Sequence, residues 1–248
     1  MDILLDIGNS CIKWAIASNE NIGESTSFMY QEDQLERQLD NLFSFTESHI
    51  DNVYVSNVAG EKIKSKLIQW VADRLGIEAK FARSQKEMHG LISAYSDPTK
   101  LGVDRFLAML AAQTVMQGPK VVVDCGTAVT VDSVDANNVF AGGLILPGLS
   151  LMRASLSSNT SDLTLACDDE LITPFAKDTQ AAISSGTVLA VVAVIEMVVG
   201  QLAENTGLDI KCIVTGGDGK IIQANLGIQS DYRADLVLNG LRCYFQAE

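Results

Sequence analysis

Along the chain, short apolar runs rich in β-branched residues alternate with stretches whose apolar positions recur at helical spacing. Ile3 to Asp6 reads as a strand entering a turn at Gly8-Asn9, and Lys13 to Ala17, with Trp14 and Ile16, reads as its hairpin partner. Residues 33–43 carry Leu35, Leu39 and Leu42 on one helical face, and the β-branched residues of 53–58 predict a strand. Residues 61–76 predict an amphipathic helix with Ile63, Leu67, Trp70 and Val71 on its apolar face and Gly76 as its stop. A further helix is expected over 103–118, ending at Gly118. At Lys120 the pattern restarts. Strands are expected at 121–124 and 128–134, and a third at 138–148 ends in a Pro-Gly turn. A long apolar helix follows (182–205), then a strand over 211–219 and a short helix over 236–244.

This order, strands then helix, strand and helix, occurs twice, and no low-complexity linker separates the two occurrences. Asp6 and Asp124 each close an apolar strand and lie 118 positions apart, about the length of one small α/β domain. The pattern predicts an α/β protein built by internal duplication, with halves at 1–118 and 119–248. A cleft is expected between them, with one acidic turn facing it from each side.

Composition narrows the class. The chain has 248 residues, 47% of them hydrophobic, enough for one large domain or two domains of about a hundred residues each. A net charge of −13 gives no basic footprint for nucleic acid. The five cysteines (Cys11, Cys125, Cys167, Cys212 and Cys243) are odd in number, far apart and free of CxxC pairs, which reads as free thiols in a reducing compartment. Asp2 and Asp6 stand where a signal peptide would be basic and then apolar. The 182–205 segment contains Glu196 and has polar ends, so it is read as a core helix and not a membrane span. A soluble cytoplasmic protein is expected, with no membrane or nucleic-acid partner.

The chemistry concentrates in the acidic turns. Glycine lets the backbone approach a ligand, and unpaired N–H groups then hold phosphate oxygens. Asn9, Ser10, Thr127 and Thr130 add donors, and Lys13 adds positive charge. Asp6 and Asp124 would repel phosphate unless a cation lay between, and Mg²⁺ takes a few carboxylates together with phosphate oxygens. One Asp-x-Gly turn is ordinary turn chemistry. Two copies, each closing an apolar strand before hydroxyl or amide residues, favour a nucleotide site. A third cluster, TGGDG at 215–219, resembles an adenosine-side loop.

A candidate base lies in HGLISAYSDPTKLGVDRFLAM, residues 89–109, where Gly102 precedes Asp104 and Arg105 at a helix start. The helix end and the arginine should keep the carboxylate ionised at neutral pH, which suits a group that accepts a hydroxyl proton during phosphoryl transfer. Acidic residues are also common in first turns for capping alone. His49 and His89 are the only histidines and read as structural, with His89 placed near the site.

Taken together, DIGNSCIK (6–13), HGL…Y…P…LGVDR (89–105), VVDCGTAVT (122–130), GGLILPG (142–148) and T…AISSG (179–186) resemble the type III pantothenate kinases of the acetate and sugar kinase/Hsp70/actin superfamily. The resemblance covers most of the chain in family order. It implies two RNase H-like (actin-like ATPase) domains with mixed sheets. It implies ATP-dependent phosphorylation of pantothenate at its primary hydroxyl, a homodimer, Mg²⁺ with ATP, and a monovalent cation, K⁺ or NH₄⁺. Carried over by motif, Asp6, Ile7, Gly8, Asn9, Ser10, Cys11, Ile12, Lys13 and Thr127 bind ATP. Asp104 is the proton acceptor and Asp124 ligates the monovalent cation. Tyr95, Gly102, Val103, Asp104, Arg105 and Thr179 line the pantothenate pocket, and in such dimers Thr179 can come from the partner subunit. Ser93, Phe106 and Asp178 depart from the family pattern. The alternatives are another kinase or phosphatase of the superfamily, which lacks the HGL…LGVDR set, and a regulator of the Bvg accessory factor type, which should have lost Asp6, Asp104 or Asp124.

Overall fold

The computed structural model describes residues 1–18, 21–43, 49–158 and 171–246. In chain order the first elements are β1 (Asp2–Ile7), β2 (Cys11–Ala17), β3 (Thr26–Met29), α1 (Leu35–Phe43), β4 (Asn52–Asn57), α2 (Glu61–Leu75) and β5 (Ala79–Phe81). Then come β6 (Glu87–Met88), β7 (Leu91–Ser93), a 3-10 turn at Pro98–Lys100, α3 (Val103–Val115), β8 (Lys120–Cys125), β9 (Ala128–Val134) and β10 (Val139–Pro147). The chain ends with α4 (Leu149–Ser158), α5 (Thr179–Thr206), β11 (Lys211–Thr215), α6 (Gly219–Asn225), β12 (Ser230–Tyr232) and α7 (Leu236–Phe245).

These elements form two compact units, and the units do not follow the chain in order. One comprises Met1–Met88, Tyr95–Ala111 and Asp235–Glu248; the other comprises His89–Ala94 and Ala112–Ala234. Duplication alone puts the division at 118/119. The contacts put α7 with the first unit instead, because it packs on β1 and β4 and stacks Phe245 on Tyr54 at 4.3 Å between ring centroids.

In the first unit the sheet order is β3-β2-β1-β4-β5, with β1 antiparallel to β2 and parallel to β4. Alternation along β1 sends Ile3, Leu5 and Ile7 to one face, where they join Leu35, Leu39, Ile63, Leu67 and Trp70 in a buried core. Leu42 has a helical position, but its side chain lies outside the described residues. Tyr54, paired with Leu4, puts α7 on the opposite face, the one that also carries Asp6.

In the second unit the corresponding order is β10-β9-β8-β11-β12, with the same antiparallel and parallel pairings, and β7 extends the sheet beyond β10. The core is Val121, Val123, Val129 and Val131 packed against Val188, Val191, Val192 and Ile195 of α5. The repeated five-strand order, with helices on the sheets, fits the duplication that the sequence pattern predicts and the RNase H-like arrangement that the resemblance implies.

Several boundaries differ from the periodicity. The helix expected to reach Gly118 stops at Val115, since Gly118 is in a left-handed conformation (φ 82°). The strand expected to reach Gly219 stops at Thr215, and TGGD turns into α6. The long helix begins early, at Thr179, because the Asp178 carboxylate caps it by accepting the Ala181 N–H at 2.9 Å. By length and composition α5 could cross a membrane. It buries one face on the sheet and leaves Ala182, Gly186, Ala190, Ala193 and Met197 exposed.

Cys11, Cys125, Cys212 and Cys243 are free thiols, and Cys167 lies outside the described residues. Burial pushes the Cys212 thiol up to about 12, and it raises Cys125 as well, so neither is a thiolate at neutral pH.

Candidate functional site

Each sheet carries its acidic residue at the carboxyl end of its first strand, the usual ligand end of an α/β sheet. In the first unit, strand register places Asp6 between Lys13 on β2 and Ser56 on β4. In the second, register places Asp124 between Thr130 on β9 and Thr215 on β11. Register partners point to the same face, so each carboxylate is flanked by polar side chains at corresponding positions.

The turn after Asp6 is closed and braced. The Gly8 N–H donates to the Cys11 carbonyl at 3.0 Å, and Tyr30 donates through its hydroxyl to the Gly8 carbonyl (3.0 Å) and through its N–H to the Ser10 carbonyl (3.2 Å). Asn9 is exposed and Ser10 half-buried at the tip. Ile7 and Ile12 are fully buried in the core, so of those two residues only the backbone is available to a ligand. Lys13 lies 3.2 Å from Asp235, the residue that precedes α7. Beside Asp6, the Ser56 hydroxyl is wholly buried and makes no hydrogen bond. A carboxylate next to an unsatisfied buried oxygen fits a hard cation such as Mg²⁺ that is also held by phosphate oxygens.

The turn after Asp124 exposes Thr127, whose carbonyl accepts the Gly148 N–H at 2.9 Å. TGGDG closes over this strand end. Gly216 has φ 92°, and a Cβ there would sit 2.4 Å from the Cys125 carbonyl oxygen, so only glycine fits. The Asp218 N–H donates to that same carbonyl at 3.0 Å. Asp124, Thr130 and Thr215 offer only oxygen ligands, a set that fits an alkali cation. Among the described residues, no group of three or more His, Cys, Asp and Glu gathers into a ready-made metal cage.

The segment from Tyr95 to Arg105 belongs to the first unit and is fixed in several places. Asp97 accepts from the Thr99 N–H (3.0 Å) and hydroxyl (2.6 Å), which holds its carboxyl below the ordinary range. The buried Ser84 hydroxyl donates to the Leu101 carbonyl at 2.8 Å. Val103 is buried, and Phe106, one of the family departures, is fully buried in the packing of α3. Ser93 is likewise buried. Arg105 is 7% exposed and its guanidinium reaches the Tyr95 hydroxyl at 3.5 Å, so these two predicted pocket residues do meet.

Asp104 accepts the Arg105 N–H at 2.8 Å, which satisfies one of the free donors of the first helical turn. The expectation that the helix end and Arg105 dominate its ionisation is not met. Burial raises the Asp104 carboxyl above its ordinary value and outweighs the Arg105 N–H and charge, which act in the opposite direction. The result is a desolvated carboxyl with enhanced proton affinity, well suited to take a proton.

Gly102 leaves room for that carboxyl, since a Cβ there would lie 2.6 Å from Asp104 Oδ1. A flexible carboxylate can swing away, so Gly102→Ala should fold almost normally. It should still lower kcat by about 10- to 100-fold, because a small misplacement of a reacting group is that costly. Thermal melting and steady-state kinetics check the pair; an unchanged kcat would show that the Asp104 position does not matter.

Thr179 belongs to the second unit. It lines a groove of about 520 Å³ between α4 and α5, together with Pro147, Leu151, Ser155 and Gly186. His49 and His89 are both exposed, and His89 occupies the β6–β7 turn with φ 48°. Two contributors escaped sequence reading. Tyr30, which braces the first turn, follows the mostly exposed β3, and Asp235 precedes α7, far along the chain from the Lys13 it meets.

A family model described as type III pantothenate kinase matches residues 3–201. The type III pantothenate kinase of Janthinobacterium sp. (strain Marseille) is 37% identical over 249 residues, covering 97% of this chain and 96% of that protein. That of Azoarcus sp. (strain BH72) is 35% identical over 243 residues, covering 97% and 89%. Among solved structures, a chain described as a Baf family transcriptional activator, from Campylobacter jejuni, aligns with a TM-score of 0.61 at 22% identity over 99% of this chain and 98% of its own. The activator of 2-hydroxyisocaproyl-CoA dehydratase from Clostridium difficile, with bound ADPNP, aligns with a TM-score of 0.50 at 12% identity over 99% and 93%. At these identities the structural likenesses speak for the fold alone.

Proposed function

The chain belongs to the type III pantothenate kinase family, and from that premise we propose how its residues share the reaction. The enzyme phosphorylates pantothenate at its primary hydroxyl with ATP, giving 4′-phosphopantothenate in the first step of coenzyme A biosynthesis.

In this proposal Asp104 takes the hydroxyl proton as the substrate oxygen bonds to the γ-phosphorus. The bond from that phosphorus to the bridging oxygen of ADP breaks, and ADP carries away the negative charge. The observation that carries this assignment is a carboxyl in the first turn of α3, held by the Arg105 N–H at 2.8 Å, whose desolvation raises its affinity for a proton. Arg105, nearly buried beside Tyr95, suits the pantothenate carboxylate, which a guanidinium binds in its planar fork. Gly102 and Val103 shape the approach to Asp104.

ATP is assigned to Asp6–Lys13 and Thr127. The backbone N–H groups and side chains of Asn9 and Ser10 would face phosphate oxygens, with Gly8 closing the turn through its N–H to the Cys11 carbonyl, and Lys13 would add charge. Mg²⁺, held by Asp6 and the phosphates, would offset phosphate charge. Asp124 is assigned a monovalent cation, K⁺ or NH₄⁺. Incubation with ATP, Mg²⁺, K⁺ and pantothenate, followed by mass spectrometry, should reveal a product heavier by one phosphoryl group. Unmodified pantothenate beside ADP would overturn the assignment.

The protein is also assigned as a cytoplasmic homodimer. The support for the dimer is the exposed apolar surface of α4 and α5, where Leu151 (52% exposed) and Leu156 (44%) line one groove with Ala182, Gly186 and Ala190. Isolated exposed apolar residues are ordinary, but a contiguous patch of this kind marks an interface. In the dimer, Thr179 on the same surface completes the partner's pantothenate pocket. Ala190→Glu places a charge on the exposed face and should yield monomers with a raised KM for pantothenate, checked by sedimentation and kinetics. Wild-type protein sedimenting as a monomer at micromolar concentration would contradict the dimer.

A further inference from the structure

Asp235 occupies the N-cap position of α7, where an aspartate ordinarily accepts a backbone N–H from the first helical turn. It makes no such cap bond. Its carboxylate instead accepts the Ser25 hydroxyl and pairs with Lys13 Nζ at 3.2 Å. Giving up a local cap for two contacts distant in sequence breaks a local rule, and such breaks concentrate where function demands them.

The position of α7 fits the same reading. Phe245 stacks on Tyr54, and Arg242 and Phe245 lie with Asp2 and Leu4 around a small surface cavity, so the carboxyl end of α7 sits at the start of β1. Its amino end therefore sits at the far end of β1, where Asp6 pairs in register with Lys13. Midway along, Gly240 abuts the backbone of α3 at Leu107; a Cβ there would lie 2.0 Å from the Leu107 carbonyl oxygen, which locks the helix in place. All of these residues belong to the first unit.

We propose that Asp235 is a positioning residue for ATP binding: anchored by Ser25 on a helix locked against α3, it holds the Lys13 ammonium in place for the phosphates of the nucleotide. Lysine is a flexible point charge with three donors, so a carboxylate fixed at the start of α7 can set where the ammonium rests as the phosphates of the nucleotide approach it. Lys13 and Asp235 are 26% and 29% exposed, so the pair adds little to stability and its value lies in orientation. This rests on the assignment of Lys13 to ATP.

The test measures the dissociation constant for MgATP by calorimetry, the KM for pantothenate and the melting temperature, in Asp235→Asn, Lys13→Met and the double variant. Asp235→Asn should weaken ATP binding about tenfold, leave the KM for pantothenate and the melting temperature unchanged, and be partly rescued by Asp235→Glu. In the Lys13→Met background, which itself binds ATP weakly, Asp235→Asn should have no further effect. Unchanged or tighter ATP binding in Asp235→Asn, or additive losses in the double variant, would overturn the inference alone. Unchanged ATP binding in Lys13→Met would overturn the Lys13 assignment and the inference with it.

Discussion

Asp104→Asn is expected to lower kcat by about 10²- to 10⁴-fold, the contribution typical of a general base, while leaving ATP affinity near the wild-type value. Asparagine keeps the size and can still accept the Arg105 N–H that Asp104 accepts at 2.8 Å. What it loses is the capacity to take a proton. The stability effect has a definite sign. Burial raises the Asp104 carboxyl in the folded protein above its unfolded value. The folded state therefore binds this proton more tightly than the unfolded chain, so the contribution to stability is present at low pH and is lost as pH rises through the folded value. Above that pH the wild type carries a desolvated charge, and Asp104→Asn should melt at the same temperature or higher. As pH falls, the difference should shrink and then disappear. In the wild type the same protonation should cut turnover on the acid side, at a pH above that of an ordinary aspartate. Kinetics and melting curves across pH check both. Near-normal turnover in the purified variant would remove Asp104 from the reaction.

Removing monovalent cations is expected to abolish turnover. Asp124 is half-buried at a strand end, with Thr130 and Thr215 beside it in register, so the position offers oxygen ligands and a negative charge. Without a cation, that charge would repel the phosphates of the nucleotide. After dialysis into Tris or tetramethylammonium buffer with Mg²⁺ retained, activity should fall to background, and adding K⁺ or NH₄⁺ should restore it. Asp124→Asn should be slow at every K⁺ concentration. Full activity of the wild type without either ion would contradict the Asp124 assignment.

Much of the fold was legible because strong local signals coincide with tertiary packing. Ile3, Leu5 and Ile7 alternate as a half-buried strand should, and Ile63, Leu67, Trp70 and Val71 all face the core. The repeat of Asp6 at Asp124 announced two sheets of the same strand order. Weakly patterned elements escaped. β3 is mostly exposed and short, so its apolar content carries no period, and Tyr30, which braces the first turn, follows it unannounced. α6 starts inside a glycine cluster that reads as a turn. The place of α7 could not be read from its own residues, because the surfaces it packs on, Tyr54 and Leu107, are far away in sequence. That is why halves drawn in chain order differ from the compact units.

The candidate base was visible as Asp104 in LGVDR, but its electrostatics were not. Sequence shows the helix start and the neighbouring arginine, which both favour the charged form. It does not show burial, and burial is the larger effect. Lys13 was visible as a charge beside the first turn, whereas its partner Asp235, more than two hundred positions later, became apparent only from the fold.

The most direct measurement is ADP release by the purified wild-type enzyme with ATP, Mg²⁺ and K⁺, recorded with pantothenate, with a sugar, with acetate and with no acceptor. The expected result is rapid ADP release with pantothenate and background release in the other three. Release that is equal with and without pantothenate, or faster with the sugar or acetate, would contradict a pantothenate kinase.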